Sequence, residues 1–139
     1  NSVDARLAPA LREQGLANAV GAPADLALGQ FPTTTRELAI AYAHLGDSAN
    51  GRRVRGLLTE AVHGDEATGR RAAVPGVKVS GKTGTSLIED GTLLASFVGL
   101  VPADDPRWAI AVQVAAPQPD GWGGKVAAPA FSRIARELP

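Results

Sequence analysis

Four consecutive residues, Lys82, Thr83, Gly84 and Thr85, carry groups suited to handling an acyl compound. A lysine supplies positive charge, and a hydroxyl beside it binds a carboxylate. A glycine lets a ligand lie close along the backbone. The N–H of the next residue can point at a developing oxyanion. The alternative is a polar strand end without chemistry. A second pattern overlaps the first: Gly76, Gly81, Lys82 and Thr83 satisfy G-x-x-x-x-G-K-[ST], the spacing of a phosphate-cradling loop.

The neighbouring residues separate these readings. A phosphate loop needs a strand before its first glycine, irregular chain between the glycines, and a helix opening at the lysine. Here Pro75-Gly76 reads as a turn, and Val77 and Val79 alternate with Lys78 and Ser80 as a half-buried strand. Gly84, Thr85 and Ser86 follow the lysine and discourage a helix. Nucleotide binding is set aside.

That strand must be positioned by what flanks it. Leu7, Ala8 and Leu11 predict a helix within 4–15, starting near Pro9. Residues 16–33 read as a loop. Thr34 and Glu37 form a capping box ahead of Leu38, Ala41, Tyr42 and Leu45, and Gly46 stops that helix. The stretch DSANG reads as a loop, which disposes of its Ser48-Ala49-Asn50 as a motif. A helix over 52–63 then presents Val54, Leu57, Leu58, Ala61 and Val62. Asp90-Gly91 is a turn signal. It leads to strands over 93–101 and 108–116, joined by a turn at 103–107. After a Gly/Pro loop, Ala127, Phe131, Ile134 and Leu138 mark a closing helix with Pro129 in its first turn. Helices, a three-strand antiparallel meander and a closing helix make an α+β chain.

Bulk properties exclude several classes of function. Fourteen basic residues balance fourteen acidic ones, so there is no electrostatic footprint for nucleic acid and no polybasic patch for anionic lipid. No cysteine is present, which removes disulfides and Cys-based zinc sites. His44 and His63 lie far apart without a third partner, so a metal site is not expected. No apolar run approaches the ~20 residues of a membrane helix. A chain of 139 residues suffices for one domain. It begins at Asn1 and holds no Met, which suggests a piece of a longer product. His63, just before Gly64, reads as a cation suited to a helix C-terminus. Arg70-Arg71 reads as a solvated pair and Trp122 as an exposed loop aromatic.

Over most of its length the chain resembles the C-terminal part of a penicillin-binding protein transpeptidase domain of the monofunctional, class B type. Four segments carry the resemblance in order: LGQFPTTTRELAIAYAHLG; GLLTEAVHGDEATGRRAAVPGVKVSGKTGTS; ASFVGLVPADDPRWAIAVQV; and GGKVAAPAFSRIA. The second contains K-T-G, one of that family's three motifs. The resemblance implies an α/β sandwich of the serine β-lactamase/penicillin-binding type, with an antiparallel sheet between helices and residues 1–139 all within one domain. It implies a nucleophilic serine in S-x-x-K and polar groups in S-x-N. None of Ser2, Ser48, Ser80, Ser86, Ser96 and Ser132 has a lysine three residues later. The nucleophile is therefore expected N-terminally, in the remaining part of the same domain, carried either by a further segment or by a second chain. Asn1 is the candidate for the S-x-N asparagine, because Leu7, Ala8 and Leu11 follow at offsets resembling the family's next helix.

By that resemblance the parent is a serine-type D-Ala-D-Ala transpeptidase that cross-links peptidoglycan stem peptides and is acylated by β-lactams. Lys82 provides electrostatics, Thr83 and Thr85 hold the donor carboxylate, Gly84 leaves room, and the Thr85 N–H forms half of the oxyanion hole; the resemblance implies no metal and no cofactor. The work is extracytoplasmic, with an N-terminal membrane anchor expected outside this chain. A serine β-lactamase or D,D-carboxypeptidase is the alternative enzyme. A non-catalytic β-lactam sensor or a degenerate partner-binding domain is the alternative of another class.

Overall fold

The structure, a computed structural model, describes residues 4–27, 29, 31–46, 48–88, 91–116 and 119–139. Five helices and three strands follow in order: α1 (Asp4–Glu13), α2 (Pro23–Ala27), α3 (Thr35–Ala43), α4 (Ala49–His63), β1 (Ser80–Leu87), β2 (Leu93–Val101), β3 (Trp108–Ala116) and α5 (Ala127–Arg136). A 3-10 turn, Arg70–Ala72, bridges α4 to β1. The sheet has the order β1-β2-β3 and is antiparallel throughout. The α+β arrangement and the bounds of β2 and β3 agree with the sequence reading.

Side chains alternate between the two faces of the sheet. On one face, Phe97 and Val112 meet α5, where Phe97 and Phe131 stack edge to face with ring centroids 4.7 Å apart. Both rings are fully buried. Burying each contributes about 2–3 kcal/mol. On the other face, Thr35 at the start of α3 donates to Gln113 of β3 at 2.7 Å. Its neighbour Thr34 caps α3 in the capping box with Glu37 that the sequence predicted.

Several elements differ from expectation. Helix α1 runs through Pro9 rather than starting near it. One lost N–H bond is tolerated there. Within the segment read as a loop, residues 23–27 form α2. The helix expected over 52–63 starts at Ala49, because Ser48 accepts from the Gly51 N–H at 3.0 Å and caps it. The Ser48-Ala49-Asn50 string is thus a helix start rather than a loop. The phase of α4 also differs: Val54 and Leu57 are exposed, while Gly51, Arg55 and Val62 are buried. A side chain at Gly51 would collide with the Leu45 carbonyl, and Arg55 donates to the Gly46 carbonyl. These two contacts with the α3–α4 connection fix which face turns inward. In α5, Ile134 is exposed and Ser132 buried, with Ser132 Oγ donating to the Ala73 carbonyl at 2.7 Å.

Strand β1 begins at Ser80, not at Val77. Val74 and Val77 form an isolated bridge about the Pro75-Gly76 turn, where Gly76 takes φ +76°. The Lys78 carbonyl accepts from Ala103, and the Val79 N–H is given to His63 Nε2 at 3.1 Å. Backbone groups spent on these partners cannot join the ladder. His63 therefore serves as a hydrogen-bond acceptor, not as the helix-end cation expected. The Asp90-Gly91 turn falls partly outside the described residues, since only Gly91 is described; it takes φ +80°.

Burial pushes the Tyr42 phenol up to about 12. An acid whose folded value is raised adds stability below its unfolded value that disappears as pH climbs toward the folded one. The Tyr42 contribution is therefore complete below about pH 10 and fades between about pH 10 and pH 12. Urea unfolding at about pH 9 and pH 11 should show a loss of about 1 kcal/mol that Tyr42→Phe abolishes.

Candidate active site

Strand β1 is the edge of the sheet, and its partner register sets the direction of each side chain. Thr83 lies opposite Phe97 and Thr85 opposite Ala95, both buried residues of the α5 side. Lys82 and Gly84 therefore sit on the α3 side. Lys82 Nζ folds over the free edge and donates to the Thr83 carbonyl at 3.1 Å and to Thr83 Oγ1 at 3.2 Å. A β residue points its N–H and C=O to the same side of the strand. With the Thr83 carbonyl reached from the open side, the N–H groups of Thr83 and Thr85 face the open edge as well.

Two neighbours complete the arrangement. Thr68 Oγ1, in the connection after α4, lies 3.0 Å from Thr83 Oγ1. The Gly123 N–H, in the loop before α5, donates to Thr85 Oγ1 at 3.0 Å. Thr85 accepts from an amide and keeps its own proton to offer, while Thr83 accepts from an ammonium and shares with Thr68 a bond in which either hydroxyl can donate. A pair of hydroxyl donors beside a lysine is a receptor for a carboxylate.

Glycines make this closeness feasible. A Cβ on Gly84 would lie 2.5 Å from Ser96 Oγ, and one on Gly81 would lie 2.6 Å from the Phe97 ring. A Cβ on Gly123 would fall 2.4 Å from the Gly84 carbonyl oxygen and 2.6 Å from that of Ser96. The loop thus rests directly on the Gly84–Ser96 pair.

The structure places Lys82, Thr83, Gly84 and Thr85 on the edge strand β1. Lys82 opens no helix but lies inside a strand, which excludes the phosphate-loop pattern. Asn1 lies outside the described residues. Trp122 is exposed, as expected, and it lines a pocket of 360 Å³ together with Thr83, Thr85 and both Arg70 and Arg71. Thr68 and Gly123 were missed. They stand 15 and 38 residues from their partners. The only sequence signal was the doubled glycine in DGWGG, since paired glycines mark a close backbone approach.

An open-edged antiparallel sheet flanked by helices, with a Lys-Thr-Gly-Thr edge strand, carries K-T-G in the strand setting of the serine enzymes in which that motif occurs. Comparison with known proteins narrows this. A family model for the penicillin binding protein transpeptidase domain matches residues 47–136, and the chain belongs to that family. Stage V sporulation protein D of Bacillus subtilis is 38% identical over 114 residues, which is 76% of this chain and 17% of that protein. The probable peptidoglycan D,D-transpeptidase PbpC of Pseudomonas aeruginosa is 39% identical over 95 residues, 63% of this chain and again 17% of that protein. Among solved structures, the transpeptidase domain of the FtsI4 D,D-transpeptidase from Legionella pneumophila superposes with a TM-score of 0.69 at 32% identity. It covers 82% of this chain and 50% of its own. The chain therefore spans about a sixth of these curated relatives and half of a solved domain.

Proposed function

We propose that residues 1–139 are the K-T-G-bearing part of one D,D-transpeptidase domain. The parent cross-links peptidoglycan stem peptides through a serine acyl-enzyme and is acylated by β-lactams. The observation that carries this reading is the pair of threonine hydroxyls on an open strand edge. Thr85 accepts from the Gly123 N–H and keeps a proton for a carboxylate such as that of a terminal D-Ala or a penicillin, and Thr83 offers one as well when Thr68 donates in their shared bond. The Thr85 N–H supplies half of an oxyanion hole facing the same edge. Lys82 supplies charge and a hydrogen bond toward the S-x-N serine. The nucleophile and its lysine come from the rest of the domain. A relative named as a peptidoglycan D,D-transpeptidase favours this over a β-lactamase, a carboxypeptidase or a non-catalytic sensor. The substrate places the work outside the cytoplasm. Among the described residues no helix is long and apolar enough to cross a membrane, and an N-terminal anchor elsewhere in the parent fits the reading.

The test uses the full-length protein and a fluorescent penicillin. Wild type should form a long-lived covalent adduct, and Lys82→Ala should lower its rate of formation by at least about tenfold. Absence of an adduct on wild type would sink the acyl-enzyme reading. Equal labelling of the variant would remove Lys82 from the chemistry. Rapid loss of label would point to a β-lactamase.

A further inference from the structure

The pocket on the α5 side of Thr83 and Thr85 has a lopsided lining. Three cations, Arg70, Arg71 and Lys125, border it with Thr68 and the two threonines, and no acidic side chain is among the lining residues. In a chain whose charges cancel overall, this is a local excess of positive charge. The three cations are not equivalent. Lys125 is paired with Asp120 at 2.6 Å, and the hydrogen bond and charge of Lys125 hold the Asp120 carboxyl below its usual range. Arg70 is anchored on the carbonyls of Ala67 and Asp65 at 3.2 and 3.0 Å. Arg71 has no ion-pair or hydrogen-bond partner among the described residues, and it is exposed to the pocket. The backbone beneath it is held by the 3-10 turn, closed by the Ala73 N–H on the Arg70 carbonyl at 3.2 Å.

From this we infer that Arg71 is a specificity-determining residue for the ligand's acid terminus. The threonine hydroxyls orient a carboxylate but carry no charge, and they would hydrogen-bond a terminal amide as well. A guanidinium in the adjoining pocket distinguishes the anion from the neutral isostere, because only the anion adds an opposite charge and two acceptor oxygens for a bidentate pair. Lys82 does not supply this distinction by itself, since it lies on the α3 side and reaches over the edge to Thr83. The inference rests on the transpeptidase reading and adds a residue to it that the sequence left as a solvated surface arginine.

The experiment compares two donor thioesters with the full-length enzyme: one ends in a free carboxylate, and its twin ends in a primary amide. Wild type should prefer the acid. Arg71→Gln should lower kcat/KM for the acid by roughly tenfold and leave the amide unchanged, and Arg71→Lys should recover part of the loss. Raising ionic strength should narrow the preference more in wild type than in Arg71→Gln, which keeps the other cations of the pocket. Equal losses on both donors would show a merely structural effect and overturn the inference. So would an unchanged acid-to-amide ratio, while penicillin acylation of the same preparation would leave the transpeptidase reading standing. If wild type turns over neither donor and takes no penicillin, that reading fails and Arg71's role with it.

Discussion

Alanine in place of Gly123 will slow acylation of the full-length protein by penicillin by at least about tenfold. The new methyl group would fall 2.4 Å from the Gly84 carbonyl oxygen and 2.6 Å from the Ser96 carbonyl oxygen. Both are backbone atoms of paired strands and neither can rotate away. The loop must lift, which stretches the bond from the Gly123 N–H to Thr85 Oγ1. Thr85 then loses the donor that orients its hydroxyl. Because this N–H acts through Thr85, the effects are coupled. Thr85→Val should also slow acylation, and the double variant should be little slower than the worse single one. Stopped-flow acylation rates for the three proteins and wild type measure this. Full additivity would show that Gly123 and Thr85 act independently. Overpacking should cost about 1–3 kcal/mol of stability in addition, which a thermal melt separates from the kinetic effect.

The second large effect is on stability. Phe97→Ala should destabilise the full-length domain by about 3–5 kcal/mol, seen as a lower urea midpoint. Phe97 is fully buried and packs edge to face on Phe131. Its ring also lies where Gly81 would carry a Cβ, so it fills the space that the glycine leaves beneath the edge strand. Against a typical stability of about 5–15 kcal/mol, this loss is a large fraction. Phe97 is the register partner of Thr83. Penicillin acylation of the folded fraction should therefore fall too, whereas Ile134→Ala, on the exposed side of α5, should change neither.

The strands and the helix starting after Thr34 were legible because local signals decide them. Alternation, turn residues and a capping box all act within a few residues. The candidate site on the edge strand was legible for the same reason, being four consecutive residues. What escaped depended on partners distant in sequence. Val77 and Val79 alternate like a strand, yet Val79 gives its N–H to His63 and Lys78 its carbonyl to Ala103. The phase of α4 turned on Gly51 meeting the Leu45 carbonyl, and an arginine rather than an aliphatic side chain took the buried position. Arg71 looked like surface because nothing within its own segment reveals that the loop carrying Trp122 and Lys125 comes to face it.

The open edge of β1 has a consequence for solubility. A strand with unpaired backbone groups is a template on which another copy can add, and hydrophobic edges nucleate aggregates. Access for the ligand proposed above forbids the usual remedies of a covering helix or an edge proline. This edge reads SGKTGTSL, with one large aliphatic residue at its far end and a lysine folded across its middle. Two glycines and four hydroxyl residues have little β-propensity to offer a self-complementary strand beyond the threonines. The composition proposed to recognise a ligand thus also discourages polymerisation, and replacing Lys82 and Gly84 with valine would be expected to trade both away at once.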